Sequence, residues 1–111
     1  MQVTKFDLAA PYEAPRHFAM QGFRVQGGDI TPFPVQVGVS IFAPSGGAEL
    51  SASQVDRVYL VHSGQISVTA NGVVYQVGPL DSCFIPAGQE RSILNSGEVD
   101  AVVVTMIPTK I

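Results

Sequence analysis

From residue 35 to residue 107 the chain alternates with a period of two, and no other feature constrains its fold as strongly. Residues 35–42 alternate and are β-branched, which suits a strand with one buried face. Residues 58–62, 65–70, 73–77 and 82–85 follow the same pattern, as do 91–95 and 99–107. Asn71-Gly72 stands between two alternating runs. A type I′ hairpin turn needs positive φ at both central positions, and this pair supplies it. Pro86-Ala87-Gly88 ends one run, Pro108 closes the last, and Ser45-Gly46-Gly47 reads as a turn. No stretch reads as an amphipathic helix, and at most one helical turn is expected, near Pro11 to Pro15. The first part is less regular. Residues 16–20 and 22–26 read as two short strands, Gly27-Gly28-Asp29 as a turn, and Thr31-Pro32-Phe33-Pro34 as a stiff connector. Many short strands with closely spaced turn signals mean a sandwich or barrel.

Composition narrows the partners. The 111 residues suffice for one core and not for two. Hydrophobic residues make up 46% against 14% charged, which excludes disorder and a polar helical bundle. Six basic residues and a net charge of −3 argue against a nucleic-acid partner. No apolar run approaches the roughly 20 residues of a membrane helix. The N-terminus lacks the layout of a signal peptide, and the single cysteine, Cys83, can form no internal disulfide. A soluble, cytoplasmic domain is the expectation.

Residues 80–95 carry a resemblance. They approach the pattern G-x5-P-x-G-x2-H-x3-N, with Asp81, Pro86, Gly88 and Asn95 in place, Leu80 for the first glycine and Arg91 for the histidine. A second pattern, G-x5-H-x-H-x3-4-E-x6-G, is matched in outline up to Gly64. Arg57 takes the glutamate position and Ser51 and Ser53 the two histidine positions; the longer spacing would give Leu50 and Ala52 instead. From Pro44 to Pro108 the chain thus resembles the cupin superfamily. The resemblance implies an all-β, single-domain double-stranded β-helix, or jelly-roll barrel, of two antiparallel sheets. Residues 34–111 would form the barrel, with residues 1–33 packing on it or exchanging with a partner subunit. A homodimer is expected, with the N-terminal segment and the strand ending at Met106-Ile107 contributing.

Typical cupins hold a metal with three imidazoles and a carboxylate. Here the four positions read Ser51, Ser53, Arg57 and Arg91. Hydroxyls are poor ligands for such ions and a guanidinium does not deprotonate, so no metal and no cofactor are expected.

Alternation places Ser51, Ser53, Val55, Arg57 and Tyr59 on one face, and Arg91, Ile93 and Asn95 on one face of another strand. Two inward arginines need something anionic, and their planar forks suit a carboxylate or phosphate. Ser51, Ser53, Arg57, Tyr59 and Arg91 are therefore the candidate ligand-binding set. Two blander readings stand beside it. Arg57 and Arg91 could pair with Asp56, Asp81, Glu49 or Glu90, and Tyr59 could be a packing aromatic. His17 is a weak candidate for an acid or base and reads more readily as a packing histidine. His62 has outward parity, and Cys83 reads as a buried, inert thiol.

The function expected is a metal-free cupin binding a small anionic metabolite, with isomerisation, cyclisation or decarboxylation as the reactions it could support. Binding is better supported than catalysis, and whether the chain is an enzyme stays open. Two alternatives remain. One is a metal-dependent dioxygenase or isomerase using unorthodox ligands such as His17, His62, Cys83 and Asp81; the other is a non-catalytic sensor or partner protein.

Overall fold

The computed structural model describes residues 1–109, so Lys110 and Ile111, the last two residues of the expected barrel span, lie outside the described residues. The strands are β1 (Ala10–Tyr12), β2 (His17–Gln26), β3 (Val35–Ser51), β4 (Arg57–Ser63), β5 (Ile66–Ala70), β6 (Val73–Val77), β7 (Ser82–Ile85), β8 (Arg91–Leu94) and β9 (Ala101–Pro108). No helix among the described residues is long and apolar enough to cross a membrane.

The expected all-β barrel is present, and one long strand organises it. All pairings are antiparallel, in the order β6-β5-β8-β3-β9-β4-β7. The first half of β3 pairs with β9, from Val35↔Pro108 to Phe42↔Ala101. Its second half pairs with β8, through Gly47↔Leu94, Ala48↔Ile93 and Ser51↔Arg91. β3 therefore passes from one layer into the other, and β2 follows along its remaining edge. Phe42, Tyr59, Val61, Ala101 and Val103 from one layer meet Ala48, Ile66, Val68, Val77 and Ile93 from the other in one buried cluster.

Four local expectations change. The helical turn lies at Phe6–Leu8, not at Pro11 to Pro15. Phe6 packs edge-on against Phe23 with ring centroids 4.9 Å apart, which fixes the turn there. Pro11 lies in β1, which pairs with β2 alone and so tolerates a residue without an N–H. Residues 16–20 and 22–26 are not two strands: His17–Gln26 is continuous, with an irregularity between Phe18 and Met20 where Ala19 has φ 49°.

Ser45-Gly46-Gly47 is not a turn but the irregular middle of β3. A Cβ on Gly47 would stand 2.0 Å from the Ile93 carbonyl oxygen, and one on Gly46 would stand 2.3 Å from that of Ala19. These glycines let strands approach rather than let the chain reverse. Finally, β9 is held on both sides, by β3 and β4, so Met106 and Ile107 do not belong to an edge strand that could extend a dimer.

Asn95, 1% exposed, ties the bend together. Its Nδ2 donates to the carbonyls of Phe42 and Val99, each at 2.9 Å, and its Oδ1 accepts from the Gly97 N–H at 3.0 Å. Its backbone N–H donates to Gly46 O and its carbonyl accepts from Ser45 N, both at 2.8 Å.

Candidate functional site

A cavity of about 430 Å³ opens against the face formed by β2, β3, β9 and β4. The strand register lays this face out in rows. Arg24 on β2 stands opposite Gly38 on β3, Gly38 opposite Thr105 on β9, and Thr105 opposite Tyr59 on β4. Directly opposed residues point to the same side of a sheet. Ser51 and Arg91 are opposed in the same way across β3 and β8.

The structure brings His17, Ser51, Ser53, Arg57, Tyr59 and Arg91 together around this one cavity. Arg91 is 3% exposed. Its Nη1 donates to the Ser51 hydroxyl at 2.9 Å and to the Ser51 carbonyl at 3.2 Å. Arg57 Nη2 donates to the Ser53 hydroxyl at 2.7 Å. The Tyr59 hydroxyl oxygen accepts from both, from Arg91 Nη2 at 3.1 Å and from Arg57 Nη1 at 3.3 Å. With both lone pairs engaged, its hydrogen is left to donate to something else.

The acids expected as alternative partners are elsewhere. Asp56 accepts from the Ala87 N–H and Asp81 from the Gly78 N–H. Glu49 and Glu90 are exposed. Among the described residues the one ion pair is Arg24–Asp29, at 3.8 Å. The Nε atoms of Arg57, Arg91 and Arg24 are buried without any partner. Burying a cation without a counter-charge is costly, and among the described residues neither Arg57 nor Arg91 has a carboxylate at ion-pair distance.

Ser53 arrives by a different route from the one parity implied. β3 ends at Ser51 and β4 begins at Arg57, so residues 52–56 are a bend and not a strand. Ser53 is held because its hydroxyl accepts from the Val55 N–H at 3.2 Å and its carbonyl from the Gly88 N–H at 2.8 Å. Val55 does not reach the cavity lining.

His17 opens β2 and faces the cavity. Its Nδ1 lies 2.8 Å from the Pro15 carbonyl, to which it donates, leaving Nε2 as an acceptor. The ring stacks on Phe42 with centroids 6.3 Å apart. Burial pushes its pKa below the ordinary histidine value; the bond to Pro15 pulls the other way, and the charges of Arg91 and Arg57 lower it further. His62 is exposed. Cys83 is half-buried in a separate cavity of about 210 Å³, where burial raises its thiol pKa against opposing effects of the Tyr59 backbone and Arg91.

Sequence reasoning missed Arg24, along with Ser40 and Thr105, as lining residues. The available signal was an arginine inside an apolar strand pattern. Its facing could not be assigned without the register against β3.

A metal ion does not fit this site. The ring of family positions presents two guanidiniums and two hydroxyls, a donor set that repels a divalent cation. His17, His62, Cys83 and Asp81 do not converge, and among the described residues no three His, Cys, Asp or Glu side chains come together.

The chain was compared with known proteins. The family model for the cupin domain matches residues 38–107. A beta-D-galactosidase of Mycobacterium tuberculosis is 33% identical over 110 residues, covering 96% of this chain and 93% of that one. Among solved structures, the polyketide cyclase RemF of Streptomyces resistomycificus superposes with a TM-score of 0.87 at 13% identity, covering 99% of this chain and 80% of that one. A predicted oxalate decarboxylase of Thermotoga maritima gives 0.79 at 16%, covering 97% and 98%. Identities that low speak for the fold alone. The family match spans most of the chain, from β3 into β9, and the galactosidase aligns over almost its whole length. On the family match the chain belongs to the cupin family.

Proposed function

We propose that this cupin binds a small organic anion, a carboxylate or a phosphate, between Arg57 and Arg91, without a metal ion. The observation that carries the reading is the pair of guanidiniums sharing the Tyr59 hydroxyl, with no carboxylate partner among the described residues. Ser51 and Ser53 hold the arginines in place, and the remaining N–H groups and the Tyr59 hydrogen meet the anion. His17 is the group suited to move a proton, because its free Nε2 shares the cavity with the arginines. Proton transfer there would support isomerisation or cyclisation of the bound anion. In this reading residues 34–109 form the barrel, and residues 1–33 pack on it, with β1 and β2 extending its sheet. The protein acts in the cytoplasm as a homodimer.

The test is thermal denaturation with acetate or inorganic phosphate. A ligand binding only the folded state at a hundredfold excess over Kd adds about 2.7 kcal/mol. Both anions should raise Tm, chloride should compete, and Arg91→Gln should abolish the rise. An Arg91→Gln protein that responds like the parent places the site elsewhere.

The 33% identical relative favours a second reading, hydrolysis of a β-galactoside. Glycosidases generally use two carboxyl groups about 5–10 Å apart. Glu13 is the one carboxylate lining this cavity among the described residues. Cleavage of nitrophenyl β-galactoside that is lost in Glu13→Gln would favour this second reading over the first.

A further inference from the structure

We propose that Arg24 is a second anion-binding pole of the same cavity, and that the ligand carries two anionic groups, one for each end. The inference rests on the anion reading above and narrows its ligand class.

The row Arg24–Gly38–Thr105–Tyr59 crosses four neighbouring strands on one face. Neighbouring strands lie about 4.8 Å apart, so the backbones of Arg24 and Tyr59 are about 14 Å apart along the sheet. The row has long cationic or cation-bearing ends and a low middle. Gly38 has no side chain, and a Cβ there would come 3.0 Å from the Thr105 hydroxyl, which occupies that space instead. Thr105 is 7% exposed and lines the cavity between the two ends. At one end Tyr59 gathers Arg57 and Arg91; at the other stands Arg24.

Arg24 is built in rather than loose. Its guanidinium carbon lies 5.0 Å from the centroid of the Tyr12 ring, a cation–π contact. The ring itself occupies space left by Gly22, where a Cβ would stand 2.8 Å from it. The Nε of Arg24 is buried without a partner, as are those of Arg57 and Arg91. The Arg24 side chain is 38% exposed, and its one ion-pair partner among the described residues, Asp29, is 93% exposed and 3.8 Å away. Such a pair is screened by water and contributes little. A monoanion between Arg57 and Arg91 leaves Arg24 with only the solvent-screened Asp29 for a partner, whereas a dianion spanning the row also reaches that end.

Calorimetric titration of the full chain with matched pairs tests this: butyrate against succinate, valerate against glutarate, hexanoate against adipate. At least one dicarboxylate should bind about tenfold or more tightly than its monocarboxylate, and the preferred length reads the gap between the poles. Arg24→Gln should remove that preference while leaving monocarboxylate affinity within about twofold, and Arg24→Lys should keep part of it. Equal affinities within every pair, or an equal loss for both kinds in Arg24→Gln, overturn the second pole alone. If Arg24→Gln does not fold, the matched pairs on the parent and on Arg24→Lys still decide. A folded protein that binds neither kind overturns the anion site between Arg57 and Arg91 as well.

Discussion

The Tyr59 hydroxyl accepts from Arg57 at 3.3 Å and from Arg91 at 3.1 Å in a residue 4% exposed. Removing that oxygen leaves a buried N–H of Arg91 and a part-buried N–H of Arg57 unpaired. Tyr59→Phe should therefore cost about 1–3 kcal/mol in urea unfolding and weaken anion binding with it. His17 yields a pH prediction. Its pKa is lowered in the folded state, so the unfolded chain takes up a proton more readily. Its stabilising effect is complete above the unfolded value of about 6.5 and is lost as pH falls below it. Arg91 and Arg57 oppose the proton, and Arg24, Arg16 and Glu13 are the other charged groups lining the same cavity. Stability measured from pH 7 to pH 5 should fall, and His17→Gln should flatten the fall. An unchanged slope in His17→Gln would show that other groups carry it. The arginines at 57 and 91 could be found from period-two parity and family spacing. Arg24 could not, because a strand's own sequence does not say which neighbour it faces.

Two glycines that look alike in sequence act differently in their elements. Gly72, at φ 75°, follows Asn71 at φ 52° in the hairpin between β5 and β6, and a Cβ there would meet nothing within 4 Å. Gly72→Ala should cost only the backbone strain, about 1 kcal/mol. Gly47 sits where β3 meets β8, and a Cβ there would stand 2.0 Å from Ile93 O. Gly47→Ala must push two strands apart and should cost several times more, on the order of 3–4 kcal/mol. Chemical denaturation of the two variants side by side checks the contrast; equal costs would contradict the close approach. The hairpin at 71–72 was legible because a turn is a local event with local chemistry. The passage of β3 through Ser45-Gly46-Gly47 was not, because small residues serve a turn and a tight strand crossing equally well.

For the whole molecule, the main path of the sheet begins and ends at β6 and β7, whose outer edges pair with no other strand among the described residues, and a side branch ends at β1. Along β6, Val73, Val74 and Tyr75 are 49%, 57% and 54% exposed, and Phe84 on β7 is 62% exposed. Apolar edges invite pairing with a second copy. Sedimentation at micromolar concentration should report twice the 11.7 kDa chain mass, and Val74→Lys should shift it toward monomer. A monomeric parent would overturn the dimer, and a dimeric Val74→Lys would move its interface away from β6.

Alternating burial, the Asn71-Gly72 turn and the residues from Asp81 to Asn95 already determine an all-β cupin barrel, because strand faces and two-residue turns are set by neighbours in sequence. They also place arginine and serine at the four positions that the resemblance assigns to a typical cupin's metal ligands. What only the tertiary structure decided is which strands lie side by side. That register sets Arg24 across from Tyr59, leaves Arg57 and Arg91 without an ion-paired acid among the described residues, and turns His17 toward them. Pairing between distant strands is chosen by the closure of the whole barrel, and no local stretch of sequence encodes it.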